Sequence, residues 1–330
     1  MANIVILGSG GFGLSLAVMA ERSGRHNVTV WSKFQSEIDN IRIHGEHVEK
    51  LPGVPVSEKI KLTSDISCVN GCDMLIFGIP SSFVRDVAKL SAPFIDENTI
   101  IVNTGKGLEE DSLKTLSEVL HEEIPKNEIV VLSGPSHAEE VARCIPTTIV
   151  AASESHNAAE YVQKELGSTF LRIYLSDDVK GCEIGGALKN IIALCAGICE
   201  GLGYGDNTKA ALMTRGIHEI ARLGKAAGAD SQTFSGLTGL GDLIVTCTSM
   251  HSRNRRAGIL IGQGMSPHEA VERVGTVEGY VCCKAAYNLS RRLGVKMPIT
   301  EQLYEVLFNG GDVKGSLGVL MNRPQIYEEI

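Results

Sequence analysis

Residues 3–17 read NIVILGSGGFGLSLA, and the architecture of the first half of the chain follows from them. Ile4, Val5, Ile6 and Leu7 make an unbroken apolar run of strand length. It is too short for a helix and apolar on both faces, as a central parallel strand is. Gly8, Gly10 and Gly13 follow in the spacing G-x-G-x-x-G, and Leu14, Leu16 and Ala17 open a helix with small residues toward the sheet. With 36 glycines in the chain such a spacing alone means little, and an ordinary strand–helix turn would also contain it. The strand directly before it and the helix directly after it make it a dinucleotide site. Gly8 permits the tight turn, Gly10 lets backbone approach a pyrophosphate, and Gly13 lets the helix pack close to the strand. The helix N-terminus then offers its N–H groups and positive dipole end to the phosphates.

Working outward, further apolar strands are predicted at Val28 to Trp31, Met74 to Ile79, Thr99 to Asn103, Ile129 to Ser133, Thr147 to Ala152 and Leu171 to Leu175. Helical patterns fall between them, for example Ile38 to Ile43, Phe83 to Leu90 and Leu113 to Leu120. This alternation is the signature of βαβ units and predicts an α/β fold, a Rossmann-type doubly wound parallel sheet. Ligands of such sheets sit outside the carboxyl ends of the strands. The segments Thr104–Gly105–Lys106–Gly107 and Gly134–Pro135–Ser136–His137 occupy such ends. From Asp178 the strand signal stops and helical periodicity takes over. The predicted domains are therefore residues 1–177, the dinucleotide-binding sheet, and 178–330, an all-helical domain for substrate binding and catalysis.

Composition narrows the function classes. A chain of 330 residues with 43% hydrophobic and 5% aromatic residues suits a two-domain, aliphatic-rich protein. A net charge of −8 argues against nucleic acid as partner and makes any local basic cluster stand out. The nine cysteines contain no C-x-x-C, and Cys68/Cys72 and Cys195/Cys199 lack companions at zinc spacing. They read as reduced thiols in a cytoplasmic protein with no metal site. A first strand beginning at residue 3 leaves no room for a signal peptide, and the longest apolar run, Ile191 to Cys199, is short for a membrane span.

Several residues are candidates for chemistry. No acid ends the second strand to hold a ribose 2′-hydroxyl; it reads Trp31–Ser32–Lys33. Lys33 either attracts a 2′-phosphate, favouring NADP or tolerance of both cofactors, or is a solvated loop lysine. On a helix, Lys189 has Gly185, Gly186, Ile192 and Ala193 as neighbours, a small apolar face instead of a charged one. Desolvation there lowers an ammonium pKa, as a proton donor near neutrality requires, although a lysine covering apolar surface gives the same pattern. His251–Ser252–Arg253–Asn254–Arg255–Arg256 concentrates arginines behind a capping serine, a phosphate site or a solvated helix face. Lys106 is similarly ambiguous, and Asp242, after Gly239–Leu240–Gly241, is a candidate helix cap.

The joint pattern resembles bacterial-type NAD(P)-dependent glycerol-3-phosphate dehydrogenase. The segments that carry the resemblance are GSGGFGLSLA, NTGKGLE, LSGPSHAEEVA, GALKNIIALCAGICEGLGYGDNTKAAL, GLTGLGDLIVTCTS, SRNRRAG and VEGY, in order from Gly8 to Tyr280. The resemblance implies reversible reduction of dihydroxyacetone phosphate to sn-glycerol 3-phosphate for glycerophospholipid synthesis, by NADPH or NADH with NADPH favoured. It implies Lys189 as the proton donor and acceptor, oriented by Asp242, with Asn190 and Thr246 in support. Ser252, Arg253 and Asn254 would hold the substrate phosphate, and Lys106, Gly134 and Ser136 would complete the pocket from the first domain. The dinucleotide would be lined by Gly8, Gly10, Gly11, Phe12, Gly13, Lys33, Lys106 and Ala138, with Arg253, Thr276 and Glu278 nearby. A homodimer is also implied. Two positions depart from the pattern: Gly11 stands where a Ser is usual, and Lys33 where an Arg or His is common. The competing readings are a hydroxyacid or 6-phosphogluconate-type dehydrogenase, a non-catalytic nucleotide binder, and a UDP-sugar dehydrogenase with Cys195 as nucleophile.

Overall fold

Strand β1 (Ala2–Leu7) lies inside an eight-stranded sheet, with Ile4 and Ile6 on one face and Val5 and Leu7 on the other. The computed structural model describes residues 1–325, 327 and 328. The other strands are β2 (His26–Trp31), β3 (Lys61–Thr63), β4 (Met74–Phe77), β5 (Ile100–Asn103), β6 (Ile129–Ser133), β7 (Thr147–Ala152) and β8 (Leu171–Ser176). Their order is β3-β2-β1-β4-β5-β6-β7-β8, and every neighbouring pair is parallel except β6 with β7. The sheet carries α1 (Gly11–Arg22), α2 (Gln35–His44), α3 (Val84–Ser91), α4 (Leu116–Glu123), α5 (Ala138–Ala142) and α6 (His156–Leu166). Ile4 and Ile6 share a core with Leu14, Val141 and Val162, and Val5 and Leu7 share another with Val84, Val87, Leu116 and Val119. A strand whose two faces are both apolar must be covered on both, since each aliphatic side chain taken from water is worth roughly 1.5–3 kcal/mol. β3 escapes the sequence reading because it is three residues long and only half buried, with no apolar run to mark it.

The chain divides into two compact units, Met1–Gly105 with Leu116–Val179, and Lys106–Thr115 with Lys180–Ile330. The sequence reading takes residues 106–115 with the sheet, whereas this segment clusters with the helices. It doubles back on itself through the Leu108–Thr115 bridge and the Glu109 N–H donating to the Lys114 carbonyl at 3.0 Å. Leu108 is buried in the helical core, and Glu110 pairs with Lys284 at 2.5 Å. The following helix correspondingly starts at Leu116 rather than Leu113, which has φ +62°.

The helical unit is built on α7 (Val179–Gly201), buried from Gly181 to Ile198 except at Cys195. By length and composition α7 is apolar enough to cross a bilayer, but 94% of its apolar window is buried in the protein, as befits a core helix. Around it follow α8 (Asp206–Ala226), α9 (Asp242–Thr248), α10 (Arg253–Gly262), α11 (Pro267–Val274), α12 (Glu278–Leu293), α13 (Pro298–Phe308) and α14 (Val313–Met321). α7 and α10 cross through paired glycines. A Cβ on Gly197 would sit 2.1 Å from the Arg255 carbonyl oxygen, and one on Gly258 would sit 2.1 Å from that of Leu194. Only hydrogen at both positions lets the backbones meet. Backbone cannot yield as a flexible side chain can, so Gly197→Ala is expected to lower stability by about 2 kcal/mol. Urea unfolding followed by circular dichroism checks this; an unchanged midpoint would contradict the crossing.

Candidate functional site

In the sheet unit the glycine-rich turn has the geometry a dinucleotide requires. Gly8 adopts φ +114°, and a Cβ there would meet the Gly78 carbonyl oxygen at 2.6 Å. A Cβ on Gly13 would meet the Gly8 carbonyl oxygen at 2.6 Å, so the helix can lie on the turn only without a side chain. Gly10 is the N-cap of α1 and supplies no side chain, which leaves the first-turn N–H groups to a ligand. The residues present therefore fit NAD or NADP. Gly11 lies under the loop after α2. A Cβ there would sit 2.7 Å from the Lys50 carbonyl oxygen and 3.6 Å from the Ala138 Cβ. Phe12 packs against the core of this unit, and Lys33 is exposed just beyond β2. Gly134, at φ +131°, and Ser136, whose hydroxyl donates to the Gly134 carbonyl at 2.9 Å, follow the end of β6.

One acid missed by the sequence reading stands beside this turn. The carboxylate of Glu37, in the first turn of α2, accepts from the Ser9 hydroxyl and from the Ser32 hydroxyl at 2.6 Å, and pairs with Lys50 Nζ at 2.5 Å. Burial works to raise its pKa, but Lys50, Ser32 and Ser9 outweigh burial and bring it to about 2. The strand end itself carries no acid, and the first turn of α2 folds Glu37 back onto it.

In the helical unit a second cluster forms around Asp242. The turn 237–241 closes with the Gly241 N–H donating to the Gly236 carbonyl at 3.1 Å, a π-type turn of the kind that often marks functional sites. Gly185 of α7 lets this turn settle on α7, since a Cβ there would sit 2.8 Å from the Thr238 carbonyl oxygen. Asp242 thereby faces Lys189. Lys189 Nζ donates to Asp242 Oδ1 and to Thr246 Oγ1, each at 2.7 Å, and Lys106 Nζ donates to Asp242 Oδ2 at 2.7 Å. Thr246, one turn further along α9, donates its hydroxyl to the Asp242 carbonyl at 2.6 Å. Asp242 is 1% and Lys189 6% exposed, so the three charges interact with little solvent screening.

Those surroundings set the ionisation. Burial lowers the Lys189 pKa and the Lys106 ammonium lowers it further; Asp242 opposes both, and the result is about 8. Burial alone would raise the Asp242 carboxyl, but the two lysines outweigh it and hold it below its usual range.

The remaining candidates extend this cluster. Asn190 donates to the Lys106 carbonyl at 3.2 Å and accepts from Asn254 Nδ2 at 2.9 Å. Asn254 Oδ1 in turn accepts the Gly279 N–H at 2.8 Å. The two asparagines thus join the Lys106 segment, α7, α10 and the start of α12. Ser252 caps α10, accepting the Arg255 N–H at 3.2 Å. The three arginines divide: Arg255 is buried in a two-pronged pair with Glu200, while Arg253 and Arg256 are exposed. Thr276 is exposed ahead of α12, which Glu278 opens. Burial pushes the Cys195 thiol well above its usual range, with Cys199 next in effect, so nothing there activates it as a nucleophile. Among the described residues no group of three or more His, Cys, Asp or Glu is placed to hold a metal ion.

Comparison with known proteins covers most of the chain. The sequence model of the NAD-dependent glycerol-3-phosphate dehydrogenase N-terminus matches residues 3–159, and that of the C-terminus matches residues 178–317. A glycerol-3-phosphate dehydrogenase [NAD(P)+] from Clostridium perfringens is 48% identical over 332 aligned residues, covering 100% of both chains. One from Desulfitobacterium hafniense is 49% identical, covering 99% of this chain and 93% of that one. The crystal structure of glycerol-3-phosphate dehydrogenase from Coxiella burnetii superposes with a TM-score of 0.94 at 34% identity, covering 98% of this chain and 99% of the other.

Removing the charge of Asp242 leaves two ammonium groups in a buried space. Asp242→Asn is expected to lower stability by about 3 kcal/mol in urea unfolding, the scale for breaking a buried pair. Adding Lys106→Met should recover part of that loss, because one uncompensated charge then disappears. Strictly additive losses would contradict the shared carboxylate.

Proposed function

The chain belongs to the NAD-dependent glycerol-3-phosphate dehydrogenase family, oxidoreductases that use NAD or NADP, and we propose that it reduces dihydroxyacetone phosphate reversibly to sn-glycerol 3-phosphate with Lys189 as proton donor. The observation that carries this reading is the buried ammonium of Lys189, held by Asp242 and Thr246 and lowered to about 8. The chemistry that NADH or NADPH would supply when held at the glycine-rich turn is hydride donation to the carbonyl carbon. The carbonyl oxygen must then gain a proton, and Lys189 Nζ gives it; in the reverse direction the neutral amine takes the hydroxyl proton back. A pKa near 8 leaves both forms of the lysine accessible near neutrality, which a reversible enzyme needs. Asp242 and Thr246 fix where the ammonium points, so the donor does not have to be ordered during the reaction. Asp242 carries the additional task of stabilising Lys189 in its charged form.

Lys106 has two effects in this scheme. Its ammonium lowers the Lys189 pKa, and it supplies positive charge where an oxyanion develops. Arg253 and the capped N-terminus of α10 behind Ser252 would take the substrate phosphate, with Asn254 locking that helix end against Asn190. Asn190, Gly134 and Ser136 would complete the substrate site, and Ala138, Thr276 and Glu278 the cofactor's surroundings. We assign the product to glycerophospholipid synthesis and the protein to the cytoplasm as a homodimer.

Lys189→Ala should reduce turnover by roughly 10²–10⁴-fold while leaving dinucleotide binding intact; near-normal kcat would remove the proton-donor role. Reduction needs the protonated lysine, so its kcat should fall as pH rises through about 8, while kcat for sn-glycerol 3-phosphate oxidation rises over the same interval. Stopped assays in both directions check the crossing. Arg253→Ala should raise the KM for dihydroxyacetone phosphate about thirtyfold, roughly 2 kcal/mol, as loss of a charged hydrogen bond does; an unchanged KM would put the phosphate elsewhere.

A further inference from the structure

Glu37 is ionised, partly buried and tied into the glycine-rich turn, yet proton transfer and phosphate binding make no use of it. Its Oε2 gathers two hydroxyls, Ser9 from between Gly8 and Gly10 and Ser32 from just beyond β2. A carboxylate joining these two points occupies the place where dinucleotide folds keep the acid that receives the adenosine ribose hydroxyls. The strand end itself, Trp31–Ser32–Lys33, offers none.

Resting on the assignment of this unit to NAD or NADP, we propose that Glu37 determines which one is preferred: its carboxylate accepts the ribose 2′-hydroxyl of NAD(H) and repels the 2′-phosphate of NADP(H). Three observations support it. The two serine hydroxyls are small, rotatable donors, so a ribose hydroxyl can join or replace them on the same oxygen. Lys50 is engaged on the other oxygen at 2.5 Å, which keeps the carboxylate oriented and commits this ammonium to Glu37 instead of to a phosphate. Lys33, the residue whose charge suggests NADP from sequence, is exposed, where solvent and salt weaken its pull on a phosphate. Lys50 is thus a positioning residue: its backbone carbonyl covers Gly11 while its side chain holds Glu37.

Equilibrium binding of NADH and NADPH to the full chain, followed by nicotinamide fluorescence, tests this without any turnover. The wild-type protein should bind NADH at least tenfold more tightly than NADPH. Glu37→Gln, which keeps the shape and removes the charge, should narrow that ratio about tenfold, chiefly through tighter NADPH binding. Lys50→Met should move it the other way, since the carboxylate then loses its counter-charge. Opposite shifts are not what mere damage to the turn would produce, and the wild-type ratio stands even where a variant fails to fold. Wild-type protein that binds NADPH as tightly as NADH, or a ratio unmoved by Glu37→Gln, would overturn the proposal. Failure to bind either dinucleotide would instead overturn the cofactor assignment on which it rests.

Discussion

A single carboxylate holds the helical unit's chemistry in place. Asp242 is buried, ionised and shared, one oxygen taking Lys189 and the other Lys106, and the Lys106 ammonium weakens the hold of Lys189 on its proton. Burying three charges costs free energy that mutual attraction recovers only when geometry is good and the remaining polar atoms are satisfied. Thr246 meets that second condition by accepting from Lys189 and donating to the backbone one turn earlier. The outcome is an ammonium that is held firmly but binds its proton weakly.

Much of the surrounding packing keeps those atoms where they are. Gly185 admits the turn that aims Asp242, and the glycine crossing of α7 with α10 brings Asn254 within reach of Asn190. Gly279 continues the same logic, since a Cβ there would sit 2.4 Å from the Asn190 carbonyl oxygen. The amide chain from Lys106 through Asn190 and Asn254 to Gly279 then fixes a short loop and the starts of two helices relative to Lys189. Small residues bring the helices close, and the amides fix their register.

Periodicity reveals elements whose burial is uniform and conceals those defined by partners far along the chain. β1 is legible because Ile4 to Leu7 are all apolar, and the burial of Lys189 because its helical neighbours are small or aliphatic. β3 is not, because three half-buried residues carry no pattern. Nor is the allegiance of residues 106–115, decided by Leu108 entering a core built from residues beyond 180. The Lys106–Asp242 pair spans 136 positions and leaves no local trace. In the arginine cluster sequence marks concentration of charge, while structure separates Arg255, neutralised by Glu200, from its neighbours. Glu37 shows the same limit at shorter range, since a carboxylate on a helix can serve the end of the strand before it.

Proton transfer and helix packing therefore meet in one quantity, the proton affinity of a lysine that burial weakens and Asp242 partly restores. That quantity can be read without substrate. Competitive labelling of the amines across a pH series, with the modified lysines quantified by mass spectrometry, gives the pKa of Lys189 directly. The account predicts half-protonation near pH 8. A value near 10.5, that of an ordinary lysine, would contradict it.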